Sequence, residues 1–141
     1  MKFVMCAISC FLQVGLLMSI PFGDPCSTSA ISRLSGPEEV YEVNIPKNCT
    51  SGEIDWNYPR GYLHVKLSKL RVTYSLCVVE GWATWIKGVR ELTGGVNNTL
   101  NMPTAGHPAC TKAVDGSTEL LVLAEDTLFY MISFNYTVVG K

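Results

Sequence analysis

The chain has little of what an enzyme or a nucleic-acid binder needs. Histidine occurs only at His64 and His107, and neither lies in a G-x-S-x-G or other local nucleophile signature. A serine-type triad, which needs a histidine within hydrogen-bond reach of its nucleophile, therefore finds no support. The adjacent acids Glu38-Glu39 and Glu125-Asp126 stand in loop-like sequence and read as solvated turns, not as the separated pair that glycosidic acid–base chemistry uses. There is no phosphate-binding glycine loop and no nucleotide motif. Zinc needs clustered thiolates or imidazoles, whereas here no C-x-x-C is present, His64 falls on the polar face of a strand and His107 stands beside Pro108. These absences predict a non-enzyme with no bound metal or cofactor.

Charge is also scarce, at 16% of residues, with a formal net charge of -1. The nearest approach to a basic patch is Lys66, Lys69 and Arg71, interleaved with Leu67 and Leu70. That alternation reads as a solvated strand edge and not as an anion-binding surface, which argues against a nucleic-acid partner. Long apolar runs are lacking except for one, Phe3 to Ile20, which follows Lys2 and precedes Pro21. It has the layout of a secretory signal peptide over residues 1–23, with cleavage expected between Ser19 and Asp24. A transmembrane anchor is the competing reading, but Cys6, Ser9, Cys10, Gln13 and Gly15 dilute the run. The expected mature chain, residues 24–141, has lost Lys2, so the 11 basic residues become 10 against 12 acidic ones, about −2. No second apolar span of that length follows, so no transmembrane segment is expected in the mature protein.

Removal of the leader takes away Cys6 and Cys10 and leaves Cys26, Cys49, Cys77 and Cys110. In an exported chain this predicts two disulfides, with three pairings possible on paper. Sequential pairing, Cys26–Cys49 and Cys77–Cys110, is preferred: the first ties an irregular N-terminal segment to the centre of the chain, and the second closes the loop-rich middle.

What remains reads as strands. Glu53 to Trp56 alternates, with Ile54 and Trp56 on one face; Pro59 and Gly61 then turn the chain, and Leu63, Val65 and Leu67 alternate with His64, Lys66 and Ser68. Further strands are expected at Val40–Ile45, Val72–Val79, Trp82–Lys87, Leu120–Ala124 and Leu128–Val139, with Ile132, Phe134, Tyr136 and Val138 sharing a face. Asp24 to Pro37 reads as an extended arm, Asn97 to Pro108 as a loop, and Asp115-Gly116 as a tight turn. No stretch shows a long helical period, and there is no repeat or low-complexity tract. The pattern predicts an all-β antiparallel sandwich.

Three N-x-S/T sequons occur, at Asn48, Asn97 and Asn135. In an exported chain each is a candidate glycosylation site, with Asn97 best placed because it lies in the expected loop. The final Gly140-Lys141 has the form of an amidation signal, although a plain carboxyl end is the simpler reading.

The stretch C-T-S-G-E-I-D-W-N-Y-P-R-G-Y-L, Cys49 to Leu63, resembles the segment of meteorin and meteorin-like proteins in which a cysteine precedes a G-x-[IV]-[ED]-W-x-Y-P-x-G-[AY]-L pattern. The residues that carry it are Gly52, Trp56, Tyr58, Pro59 and Gly61. The likeness extends through Cys77-Val78, Trp85 to Thr93, Cys110 and the strand Phe134 to Val139, and the cysteines match in order. The resemblance implies a CUB-like domain, a jelly-roll-type sandwich with sequential disulfides, spanning residues 24–141. It implies a secreted protein that acts by binding an extracellular receptor or other protein. It covers only the first domain of that family, so activities needing the second, netrin-type domain are not implied. CUB domains often hold calcium through acidic loop residues, so the resemblance leaves calcium open, but no such site is assigned to Asp115, Glu125 or Asp126. A venom or secretory-gland component on the same fold is one alternative. A carbohydrate-binding protein, suggested by aromatic residues such as Tyr58, Tyr62 and Trp85, is another.

Overall fold

The structure, a computed structural model, describes residues 23–32, 40–79, 86–124 and 130–141. The expected leader, the acid pairs Glu38-Glu39 and Glu125-Asp126, and Trp82 and Trp85 lie outside the described residues. Nine strands are present among the described residues: β1 (Thr28–Ile31), β2 (Val40–Asn44), β3 (Ser51–Asn57), β4 (Tyr62–Val79), β5 (Ile86–Glu91), β6 (Asn98–Leu100), β7 (Ala109–Cys110), β8 (Val114–Ala124) and β9 (Met131–Gly140). A short 3-10 turn covers Thr93–Gly95, and there is no α-helix among the described residues.

The fold is organised by β4, which belongs to two layers. Its first half, Tyr62 to Lys69, pairs with β8 on one side and β2 on the other. Its second half, Tyr74 to Val79, pairs with β9 on one side, and through Cys77 and Val78 with β7 on the other. One layer therefore reads β2-β4-β8-β5-β6, and the other β1-β3-β9-β4-β7. At the N-terminal margin β1 touches β2, bringing an edge of each layer together.

The change of layer happens at a bulge. Lys69 is opposite Gly116 and Thr73 is opposite Asp115, so Leu70, Arg71 and Val72 have no partner residues on β8. Arg71 takes a left-handed backbone, φ 63, which interrupts the two-residue alternation. Before the bulge, Leu63, Val65 and Leu67 are buried; after it, Tyr74, Leu76 and Val78 are. The inward phase thus moves from odd to even positions, and both halves of one strand face the same core. The Tyr74 hydroxyl lies 2.7 Å from the carbonyl oxygens of both Leu67 and Gly116 and donates its one proton to either. It spans the bulge from within.

The core fills the space between the layers. Its largest fully buried side chains include Trp56, Tyr74, Tyr136 and Phe134, each contributing on the order of 1.5–3 kcal/mol through burial. Trp56 also has a polar handle: its indole N–H donates to Ser32 Oγ at 2.7 Å, so the ring is buried without an orphaned donor.

The expected all-β sandwich is present, with antiparallel pairing through most of both layers. Four local expectations change. The Ser- and Pro-rich segment after Asp24 is not only an arm, because Thr28–Ile31 adds to β3 in parallel, and β2 likewise adds to β4 in parallel. Asp115-Gly116 is not a hairpin turn; both residues lie within β8 opposite the bulge, with Gly116 at φ 113. Lys66 is not at a strand edge, since β4 is flanked on both sides there. The expected loop Asn97 to Pro108 is interrupted by β6 and by a bridge between Thr104 and His107.

Candidate functional site

The strand ends gather the site. In the second layer Ile31, Asn57 and Met131 stand side by side across β1, β3 and β9. Just beyond that row, the Tyr58 N–H donates to the Tyr130 carbonyl at 2.7 Å. The two rings meet edge to face, with centroids 6.1 Å apart and planes at 72°, a favoured aromatic geometry. Tyr58 is 50% exposed, Tyr130 80%, Ile31 62% and Met131 52%. Four large apolar side chains thus share one end of the molecule with their surfaces open.

The backbone at this end is constrained. Tyr58 adopts φ 50 and Gly61 φ 65. Glycine enters the left-handed region freely, but a tyrosine there costs about 1–2 kcal/mol. The corner is held despite that cost: Pro59 and Gly61 are buried while Tyr58 and Arg60 are exposed, and the Ala124 N–H donates to the Gly61 carbonyl. An aromatic ring held in a disfavoured conformation and turned toward solvent is the kind of local strain that clusters at functional sites.

The other motif residues serve the fold. Gly52 lies against the Cys26 backbone, where an added Cβ would overlap the Cys26 carbonyl and come within 2.8 Å of the Tyr136 hydroxyl. Trp56 is wholly buried. Tyr62 is half-buried, leaving Tyr58 as the described aromatic of the expected group that projects. Sequence reasoning missed Tyr130: strand alternation puts it in phase with inward-facing Ile132, but it sits past the strand end.

The cysteines join as the sequential pairing requires. Cys26 is bonded to Cys49 and Cys77 to Cys110, with Cα–Cα distances of 5.5 and 4.0 Å. Asn48, Asn97 and Asn135 are all exposed. Asn48 and Asn97 lie in the connections β2–β3 and β5–β6, at the end away from Tyr58, and Asn135 lies on the outer face of the second layer between Glu53 and Val79.

His64 is placed among carboxylates. Its Nε2 is 2.8 Å from Glu119 Oε2 and its Nδ1 3.8 Å from Glu42 Oε1, while Lys66 Nζ lies 2.6 Å from the same Glu42 oxygen. The hydrogen bond from Lys66, reinforced by its charge, holds the Glu42 carboxyl below its ordinary range, and the same bond raises Lys66. This line of polar side chains crosses β2, β4 and β8. His107 is exposed and bridges Thr104 through backbone bonds alone. Asp115 is exposed on β8 opposite Thr73. Among the described residues, no group of three or more His, Cys, Asp or Glu side chains is placed to hold a metal ion.

Fold and sulfur bridges together define the class: an all-β, two-layer domain pinned by two disulfides. Disulfides of this kind are characteristic of chains matured in an oxidising compartment. Among the described residues, no helix is long and apolar enough to cross a membrane. Comparison with protein-family models and with curated proteins finds no match to this chain.

Proposed function

We propose that the protein is a secreted binding module, CUB-like in type, that engages an extracellular protein through the strand-end surface of Tyr58, Tyr130, Ile31 and Met131. One observation carries this reading: the Tyr58 ring is displayed half exposed, against Tyr130, from a backbone conformation that tyrosine disfavours. Aromatic side chains held rigidly at a surface are the usual anchors of protein interfaces. The leader-like N-terminus, the two disulfides and the likeness of Cys49 to Leu63 to meteorins support export and a binding role. Glycans on Asn48, Asn97 and Asn135 would cover the opposite end and one sheet face and leave the tyrosine surface open.

The test is binding of labelled protein to cell surfaces. Tyr58→Asn removes the ring but keeps a side chain that tolerates left-handed backbone, and Tyr130→Ser removes its neighbour. The double variant is expected to keep the wild-type melting temperature and lose at least about tenfold in affinity, equivalent to ~1.4 kcal/mol. Unchanged saturable binding by a folded double variant would overturn the reading. Competition by simple sugars instead of by protein would redirect it to carbohydrate.

A further inference from the structure

The chain has six tyrosines, and the structure describes every one of them. Tyr74 and Tyr136 are buried, Tyr41 packs against the core, and Tyr62 is half-buried on β4. The two that stand open to solvent, Tyr58 and Tyr130, are also the two whose rings meet.

Their meeting follows from the strand register. Residues of β3 and β9 pair in antiparallel order as far as Asn57 opposite Met131, so the next step of the same count sets Tyr58 opposite Tyr130. The Tyr58 N–H donates to the Tyr130 carbonyl at 2.7 Å although the regular ladder has ended. Directly opposite side chains of an antiparallel pair lie close together on one face. Here the ring centroids are 6.1 Å apart, with one ring edge-on to the other. Pro59 follows immediately and restricts the backbone that carries the Tyr58 ring. Tyr130 is the more open of the two, so rotation about its side-chain torsions can bring an ortho carbon of its ring against one of Tyr58.

We propose that Tyr58 and Tyr130 form a cross-linking site: one-electron oxidation by a peroxidase and hydrogen peroxide joins their rings into an intrachain dityrosine. Each phenol gives up its hydroxyl hydrogen, as one electron and one proton, and becomes a phenoxyl radical whose spin extends to the ring carbons ortho to oxygen. The two radicals couple, forming a bond between one ortho carbon, Cε, of each ring. The hydrogen on each of those carbons then moves to the phenolic oxygen, which restores both aromatic rings. The protein has lost two hydrogens in all, and one molecule of peroxide has been reduced to two of water. Proximity decides the product. A second radical held on the same strand pair acts at an effective concentration on the order of millimolar or more, far above that of another chain at micromolar protein. The new bond ties the corner after β3 to the residue before β9, and its formation does not depend on that surface having a binding partner.

The experiment uses the full disulfide-bonded chain at about 1 μM, a concentration that disfavours reaction between chains. It is treated with a haem peroxidase and one equivalent of hydrogen peroxide. Dityrosine fluorescence is followed, and the products are separated by size and mapped by mass spectrometry. The expected product is a monomer lighter by two hydrogens, with the Tyr58 and Tyr130 peptides linked, in at least about tenfold excess over cross-linked dimer. Tyr58→Phe and Tyr130→Phe each keep a ring and remove the phenol, so each should retain the wild-type melting temperature and lose the intrachain product. Monomer of unchanged mass, with dityrosine confined to dimers, would overturn the proposal. So would an intrachain link through Tyr41, Tyr62, Tyr74 or Tyr136, or one that persists in either phenylalanine variant.

Discussion

The hydroxyl of Tyr136 donates to the carbonyl of Cys26 at 2.7 Å, joining the last strand to the first disulfide across 110 positions of sequence. Burial raises the phenol above its ordinary pKa, and the negative charge of Asp24 adds to the effect. A raised folded-state value means that the stabilisation is fully present below the unfolded tyrosine pKa of about 10 and is lost as pH rises through the higher folded value. Tyr136→Phe should cost about 1–3 kcal/mol at neutral pH by leaving the carbonyl unpaired. It should also flatten the loss of stability in alkali. Urea denaturation across neutral and alkaline pH checks both, and an alkaline loss unchanged in the variant would count against this role.

Gly52 stands against the same carbonyl, beside the Tyr136 hydroxyl. Because the overlap in Gly52→Ala is with backbone and not with the tip of a flexible side chain, relief requires β3 or the Cys26 segment to move, at a cost of about 1–3 kcal/mol. The Cys26–Cys49 bridge should close less completely in this variant. Counting free thiols in the purified protein reads the effect directly.

Trp56 and Ser32 form a second long-range pair. Trp56→Ala should cost ~3–5 kcal/mol as a large buried ring is lost. Ser32→Ala leaves the ring in place but strands its N–H, for a smaller loss of about 1–3 kcal/mol. Denaturant midpoints of the two variants should fall in that order; equal losses would show that the hydrogen bond, not the packing, dominates.

Arg71 at the bulge gives a prediction about backbone rather than contacts. With φ 63, Arg71→Ile should be destabilising by about 1–2 kcal/mol because a β-branched residue resists the left-handed region. Arg71→Gly relieves that strain but adds about 0.5–1 kcal/mol of unfolded-state entropy, so its net effect should be near zero. Thermal melts of the pair distinguish this from a role for the guanidinium, which both variants would lose equally.

Much of the fold was legible because alternation is a direct record of which face is buried. Ile54 and Trp56, Leu63 to Leu67, and Ile132 to Tyr136 all point inward as their spacing requires. What alternation does not carry is partnership. Residues 63–68 and 72–79 each read as a strand, and nothing in Leu70-Arg71-Val72 shows that they form one strand passing between layers; the left-handed turn falls on an arginine, where glycine would have given the signal. Asp115-Gly116 misleads for the related reason that its glycine serves the opposite side of the same bulge. Strand β1 is too short for a pattern, with Ala30 its only buried side chain. At the candidate site, Tyr58 was visible within the W-x-Y-P-x-G unit. Tyr130 was not, because its exposure depends on where β9 begins.

The central claim is that one strand threads two layers whose closure is fixed by neighbouring cysteines at both ends of the chain's course. Non-reducing peptide mapping of the purified protein tests it most directly. The fold described predicts two linked peptide pairs, Cys26 with Cys49 and Cys77 with Cys110, and no free thiol among these four. A Cys26–Cys77 or Cys49–Cys110 link would contradict it, because Cys77 could not then face Cys110 across β4 and β7.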